Sequence, residues 1–145
     1  MIRDQIQFKT VQEWNSQEIV RLYRSAGWWE ERYDPAGISS LITGSFIFVV
    51  GVHQVTGEAI AMGRILSDGI RLGIIQDLCV LDSLRGKGIG KELLDFLIQE
   101  GKRAGLQSIH LVAEPGTRSF YEKSGFISDS DLIFLTKTPD ETNEN

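Results

Sequence analysis

Arg85-Gly86-Lys87-Gly88-Ile89-Gly90 is the stretch of this chain best suited to hold a phosphate. Its glycines let the backbone curl with little steric penalty. The apolar run Ile74-Ile75-Gln76-Asp77-Leu78-Cys79-Val80-Leu81 comes before it, and Lys91-Glu92-Leu93-Leu94-Asp95-Phe96-Leu97-Ile98, with helical spacing, comes after. A strand, a glycine-rich turn and a helix start make a phosphate cradle, because the N–H groups of the first helical turn have no partner inside the helix. The plain alternative is a glycine-rich turn that holds nothing.

Spacing narrows the ligand. A P-loop needs a glycine where Arg85 stands and Ser or Thr where Glu92 stands, so it fails twice. The dinucleotide fingerprint Gly-x-Gly-x-x-Gly would put its third glycine at Lys91 or at Leu93, and fails as well. The spacing that fits is Arg/Gln-x-x-Gly-x-Gly, filled by Arg85, Gly88 and Gly90.

The elements that must position this turn can be read from periodicity. Ile6 to Val11 alternates as a half-buried strand. Asn15 with Glu18 has the form of a capping box and opens a helix with Ile19, Leu22, Tyr23 and Ala26 on one face, closed by Gly27. Asp34 as cap and Pro35 at the first helical position start a second helix carrying Ile38, Leu41 and Ile42, which Gly44 ends. Strands are expected at 46–52, 59–66 and 73–81, the last apolar almost throughout, as if covered on both faces. The helix after the glycine turn should run to about Arg103, with Ile89, Leu93, Phe96 and Leu97 inward. A strand at 108–113, a short helix at 117–124 and a last strand at 132–136 complete the order. The unit 73–81, 88–103, 108–113 should be a right-handed parallel crossover attached to an antiparallel meander, an α/β fold with a mixed sheet and helices on both faces. No repeat or linker divides the chain, so a single domain to residue 137 and a disordered polar tail at 138–145 are expected.

Composition bounds the function. The chain has 145 residues, 41% hydrophobic and 24% charged, enough for a real core. A net charge of −5 argues against a general nucleic-acid binder, whose footprint would be basic. Cys79, the single cysteine, rules out an intrachain disulfide, and with only His53 and His110 beside it a metal site is not expected. No apolar run is long enough to span a membrane and Met1 to Gln5 lacks a signal pattern, so a cytoplasmic protein is expected.

The Arg85 turn resembles the pyrophosphate loop of the GNAT superfamily of acyl-CoA-dependent N-acyltransferases. Ser119-Phe120-Tyr121-Glu122-Lys123-Ser124-Gly125-Phe126 resembles that family's late "FYEKxGF" helix and turn, and the element order also matches. The resemblance covers residues 6 to 137, most strongly 74–126.

It implies a GNAT-like fold and transfer of an acetyl group from acetyl-CoA to a primary amine, of a small molecule first and of a protein or peptide as the alternative. A non-catalytic CoA-binding module is the alternative from another class. No metal, nucleic acid or membrane is implied; a homodimer is left open. Carried over, the CoA pyrophosphate lies on the backbone of Gly86, Lys87, Gly88, Ile89, Gly90 and Lys91, with charge from Arg85 and Lys87, while Phe120 walls the channel. The pantetheine arm lies along Leu78, Cys79 and Val80, with the Leu78 N–H nearest the thioester carbonyl. Tyr121 stands beside the sulfur, where a neutral phenol can protonate the leaving thiolate. Some relatives place a glutamate base where Ile74 stands here, and many place a CoA-contacting asparagine where Glu114 stands; this chain departs from both patterns. Asp77 is the nearest acid and the candidate base, although a carboxylate inside an apolar strand more often has a hydrogen-bonding role. Cys79 reads as a small buried residue rather than a nucleophile. For the acceptor, Trp28, Trp29, Glu31 and Tyr33, in the connection between the first two helices, offer ring faces and charge to an ammonium group.

Overall fold

A computed structural model describes residues 2–139, so the part of the expected polar tail at 140–145 lies outside the described residues. The chain divides into two compact units, Met1–Leu111 and Val112–Asn145.

In the first unit, β1 (Ile6–Thr10), β2 (Ile47–His53), β3 (Ala59–Ser67), β4 (Leu72–Val80) and β5 (Ser108–His110) form one sheet in chain order. β1 to β4 are an antiparallel meander and β5 is parallel to β4. That is the mixed sheet with a parallel crossover that the periodicity called for. Helices α1 (Ser16–Ser25) and α2 (Gly37–Gly44) precede β2, and α3 (Ile89–Arg103) links β4 to β5.

Alternation along the strands sends side chains to two helical layers. Phe48, Val50 and Val52 of β2, Met62 of β3 and Cys79 of β4 pack with Ile19, Leu22 and Tyr23 of α1 and Ile38 and Ile42 of α2. Residues of opposite parity face α3: a Cβ on Gly63 would come within 2.6 Å of the Leu97 Cδ1, and one on Gly51 within 3.0 Å of Phe8, whose ring meets Phe96 of α3 at 5.9 Å. Leu93, Leu94 and Leu97 are fully buried, each worth about 2 kcal/mol of transfer free energy. Phe96 is only partly buried, and Leu94 takes an inward place that the sequence reading did not give it.

The N-terminus of α1 is half a capping box. Asn15 Oδ1 accepts the Glu18 N–H at 3.0 Å, but the Glu18 carboxylate turns outward from the box. Its Oε1 accepts from Trp14 Nε1 at 2.9 Å and from the Ala59 N–H at 2.7 Å, tying α1 to the start of β3. Asp34 caps a turn rather than the helix itself: its Oδ1 accepts the Ala36 N–H at 2.9 Å, and α2 begins at Gly37.

Three expectations are corrected. β4 is not covered on both faces, since Ile74 is 39% exposed and Gln76 is exposed too. β5 stops at His110 instead of Ala113, and its pairing to β4 covers only Leu72 to Ile74. The last strand does not form: residues 132–136 have no strand partner among the described residues, and Leu132, Ile133, Phe134 and Leu135 are 68–83% exposed. A short apolar run states strand propensity but not which edge completes it. In the second unit, α4 (Arg118–Glu122) is the one helix among the described residues, shorter than the expected 117–124. No helix among the described residues is long and apolar enough to cross a membrane.

Candidate active site

β4 carries a bulge at the segment where the GNAT resemblance implies acyl-binding backbone. Met62 pairs with Cys79 and Arg64 with Gln76, so Asp77 and Leu78 together oppose the single residue Gly63. Asp77 adopts φ +59, the one positive φ outside glycine among the described residues. A side chain in that region costs roughly 1 kcal/mol or more, although aspartate tolerates it better than most.

Two donors hold it there. Tyr23 Oη donates to Asp77 Oδ2 at 2.7 Å and Arg64 Nε donates to the same oxygen at 2.8 Å. The Arg64 and Asp77 side chains are only 15% and 24% exposed, so this ion pair is shielded from solvent. Burial, reinforced by the Asp77 charge, pushes the Tyr23 hydroxyl far above the usual tyrosine range and keeps it a donor. Asp77 thus accepts two side-chain hydrogen bonds inside an otherwise apolar strand. Cys79, two residues on, is 8% exposed and lies over α1, where its Sγ is 3.7 Å from the Leu22 carbonyl. Desolvation raises its thiol to about 12, so at neutral pH the thiolate a nucleophile needs is absent.

The pairing of β4 with β5 ends at Ile74, and β4 runs on to Val80 without β5 beside it. After Val80 the chain makes one 3-10 turn, Asp82–Leu84, and enters the glycine turn. Gly86 and Gly88 have φ of +76 and +85, so here the glycines are required by conformation. Gly88 is the N-cap of α3 and no side chain caps this end. The amides of Ile89, Gly90 and Lys91 thus keep the anion-binding capacity of a helix start. The donor set fits a pyrophosphate: backbone N–H groups, a positive helix end, and no Cβ at positions 86, 88 and 90.

The cations around the turn are placed differently from one another. Arg85 braces the loop: its Nε donates to the Val80 carbonyl at 3.1 Å, Nη2 to the Ser25 carbonyl at 3.3 Å, and Nη1 pairs with Asp82 at 2.8 Å. Lys91 pairs with Asp95 at 2.8 Å one helical turn on. Lys87 is exposed.

The connection between α1 and α2 is an aromatic cluster in which Glu30, Glu31 and Arg32 are each already paired. Trp29 meets Tyr33 edge-on at 5.4 Å, and Trp28 and Trp29 each lie 6.4 Å from Tyr23. Glu31 pairs with Arg24. Glu30 accepts from Arg32 at 2.9 Å and from Tyr33 at 2.7 Å, and these bonds hold its carboxyl below its ordinary range. Arg32 also lies 5.1 Å from the Tyr33 ring centre.

In the second unit, Tyr121 is partly buried between Phe120 and Phe126, with ring centres at 5.0 and 6.0 Å. Desolvation first, then the Glu114 charge, raises its hydroxyl above the ordinary tyrosine value. It is a neutral phenol at pH 7. The Glu114 carbonyl accepts the Thr117 N–H and hydroxyl at the start of α4.

Residues 8–126 match the family model described as Acetyltransferase (GNAT) family. The chain belongs to the GNAT acetyltransferase family. Among curated GNAT relatives, the uncharacterized N-acetyltransferase ycf52 of Pyropia yezoensis is 29% identical over 135 residues, covering 90% of this chain and 78% of that protein. The chloroplastic GCN5-related N-acetyltransferase 1 of Arabidopsis thaliana is 27% identical and covers 89% of this chain and 66% of that protein. Among solved structures, a probable acetyltransferase from Staphylococcus aureus superposes with a TM-score of 0.76 at 18% identity, covering 92% and 99% of the two chains. An aminoglycoside acetyltransferase from an uncultured soil sample, solved with sisomicin, gives a TM-score of 0.74 at 17% identity, covering 97% and 100%.

The GNAT frame sorts the sequence candidates. Leu78, Cys79, Val80 and the Arg85–Lys91 turn are continuous in the first unit, with Asp77 setting the bulge. Phe120 and Tyr121 belong to the second unit. Sequence reading missed Arg64 and Gly63 and gave Tyr23 only a core role. A weak signal was present: one arginine and one aspartate inside otherwise apolar strands, on neighbouring strands, are candidates to pair.

Proposed function

We propose that the protein is an acetyl-CoA-dependent N-acetyltransferase that acylates a small primary amine by direct transfer in a ternary complex. The observation that carries this is the β4 bulge, followed after one 3-10 turn by an uncapped, glycine-built helix start, in a chain of the GNAT family. The backbone of Gly86 to Lys91 binds the pyrophosphate, Arg85 holds that loop in shape, and the β4 segment Leu78 to Val80 takes the pantetheine arm. Acetyl-CoA supplies an activated carbonyl.

The amine nitrogen bonds to that carbonyl carbon while the carbon–sulfur bond breaks. The Leu78 N–H stabilises the developing oxyanion, a contribution typically worth about 10²–10³ in rate. The phenol of Tyr121 gives its proton to the leaving sulfur and regains one from solvent; the extra proton of the amine passes to water. An alkylamine of pKa ~10.4 is almost wholly protonated at pH 7, so the rate should rise with pH up to the point where the enzyme itself loses protons. Trp28, Trp29 and Tyr33 supply ring faces to the acceptor. Glu31, already paired with Arg24, contributes through the loop's shape.

A small arylalkylamine or aminosugar is favoured because two shorter matches carry such names. A serotonin N-acetyltransferase of Oryza sativa is 32% identical over 77 residues, and a probable glucosamine 6-phosphate N-acetyltransferase of the same species is 31% identical over 72.

The test is release of free CoA thiol from acetyl-CoA across a panel of arylalkylamines, aminosugars, polyamines and lysine-bearing peptides. Turnover confined to peptides would replace the small-molecule acceptor. Tight CoA binding with no turnover on any amine would favour a binding module.

A further inference from the structure

We propose that Tyr23 and Arg64 are positioning residues for acyl transfer, clamping Asp77 in its left-handed conformation and so fixing the aim of the Leu78 amide. This rests on the N-acetyltransferase reading above. Glycine is the residue that takes φ +59 without cost, yet the chain uses aspartate there. A strained residue persists only where its surroundings over-determine it, and here they do so from two elements. Tyr23 comes from α1 and Arg64 from β3, and both bind Oδ2 at 2.7 and 2.8 Å. Arg64 is itself fixed, with Nη1 3.4 Å from Ser45 Oγ and Nη2 3.4 Å from Gln76 Oε1.

The next residue is pinned from the other face of the sheet. A Cβ on Gly63 would lie 3.0 Å from Leu78 Cδ1 and 2.6 Å from Leu97 Cδ1, so Leu78 sits in the space that glycine leaves. Held at Asp77 on the α1 side and at Leu78 on the α3 side, the peptide between them has one orientation. The carboxylate of Asp77 then acts through the backbone and need not touch substrate.

Steady-state kinetics of Tyr23→Phe, Arg64→Gln, Asp77→Ala and Asp77→Gly test this. Tyr23→Phe and Arg64→Gln should each lower kcat about 10-fold while the KM for acetyl-CoA moves about 2-fold or less, because misaiming an oxyanion donor costs transition-state rather than ground-state binding. Asp77→Ala should lose about 100-fold and Asp77→Gly markedly less, since glycine accepts the conformation unaided. Adding Arg64→Gln to Asp77→Gly should cost little more. Equal losses in Asp77→Gly and Asp77→Ala would overturn the clamp, as would unchanged kcat in both Tyr23→Phe and Arg64→Gln. Thermal stabilisation by CoA confirms that each variant folds. A second readout is independent of turnover: amide hydrogen exchange across residues 72–81 should quicken about tenfold in Arg64→Gln, a loss of local opening free energy. Unchanged exchange there would overturn the clamp even if no acceptor amine were found, whereas a wild type inactive on every amine would overturn the transferase reading alone.

Discussion

Cys79 shows how one environment decides what a reactive residue type can do. Its thiol is raised from an ordinary 9.0 to about 12, first by burial and then by the nearby Asp77 charge. A group whose folded value lies above its unfolded one adds stability that is complete below the unfolded value. That stability is lost as pH rises toward the folded value. Urea denaturation should therefore show stability falling between pH 9 and 12, and Cys79→Ala should fall less steeply over that window. The raised Tyr23 hydroxyl adds to the same decline, which is why the difference between the two proteins isolates the thiol. In the native state at pH 7 the thiol should react with disulfide reagents far more slowly than in urea; comparable rates would contradict its burial. The burial of Cys79 was legible from its place in an apolar strand. The Tyr23–Asp77–Arg64 contact was not, because it joins residues 54 and 13 positions apart and depends on a bulge that leaves no periodic trace.

Among the elements, the start of α1 and the glycine turn carry separate predictions. Glu18 satisfies the N–H of Ala59, a fully buried residue, so Glu18→Ala strands that donor and should cost about 1–3 kcal/mol. Asn15→Ala removes only a cap and should cost about 1 kcal/mol. Urea titration that ranked Asn15 above Glu18 would count against the bridge. At the turn, Gly88→Val forces a β-branched side chain to φ +85 and intrudes on the helix start, while Lys87→Ala removes only an exposed charge. CoA affinity measured by calorimetry should fall at least about 10-fold for Gly88→Val and about 3-fold or less for Lys87→Ala. Elements with helical period or strand alternation were readable because each signal is local, while of the expected caps that of Asn15 formed and Asp34 capped only the turn before α2. Strand 132–136 was misread because strand formation depends on an edge elsewhere in the chain. The early end of β5 was missed for the same reason, since nothing in Leu111, Val112 or Ala113 says that pairing has stopped.

For the whole molecule, the donor and acceptor ends of the proposed reaction rest on different parts of the chain. The family match spans residues 8–126, and the turn before α3 is built on Gly86 and Gly88 at positive φ with no side-chain cap. In the segment from Trp28 to Asp34, Glu31 was the acid offered to an ammonium group, and Glu30 stands beside it. Both carry partners, Glu30 with Arg32 and Tyr33, Glu31 with Arg24. Under the proposed function, the ring faces of Trp28, Trp29 and Tyr33 carry more of the amine's binding than these two paired carboxylates. CoA should, under the same proposal, stabilise the chain and ATP or NAD should not, because the Arg85 turn lacks the glycine spacings of the P-loop and of the dinucleotide fingerprint. At a hundredfold excess over Kd the gain is about 2.7 kcal/mol, readable as a shift in Tm.

The most direct measurement of the central claim follows the acetyl group itself. Acetyl-CoA labelled in its acetyl carbons is incubated with the protein and the amine panel, and products are weighed by mass spectrometry alongside free thiol. A labelled N-acetylamine formed in equal amount to the thiol, and lowered together with it in Tyr121→Phe, is the result expected here. Thiol release with labelled acetate and no N-acetylamine would contradict it.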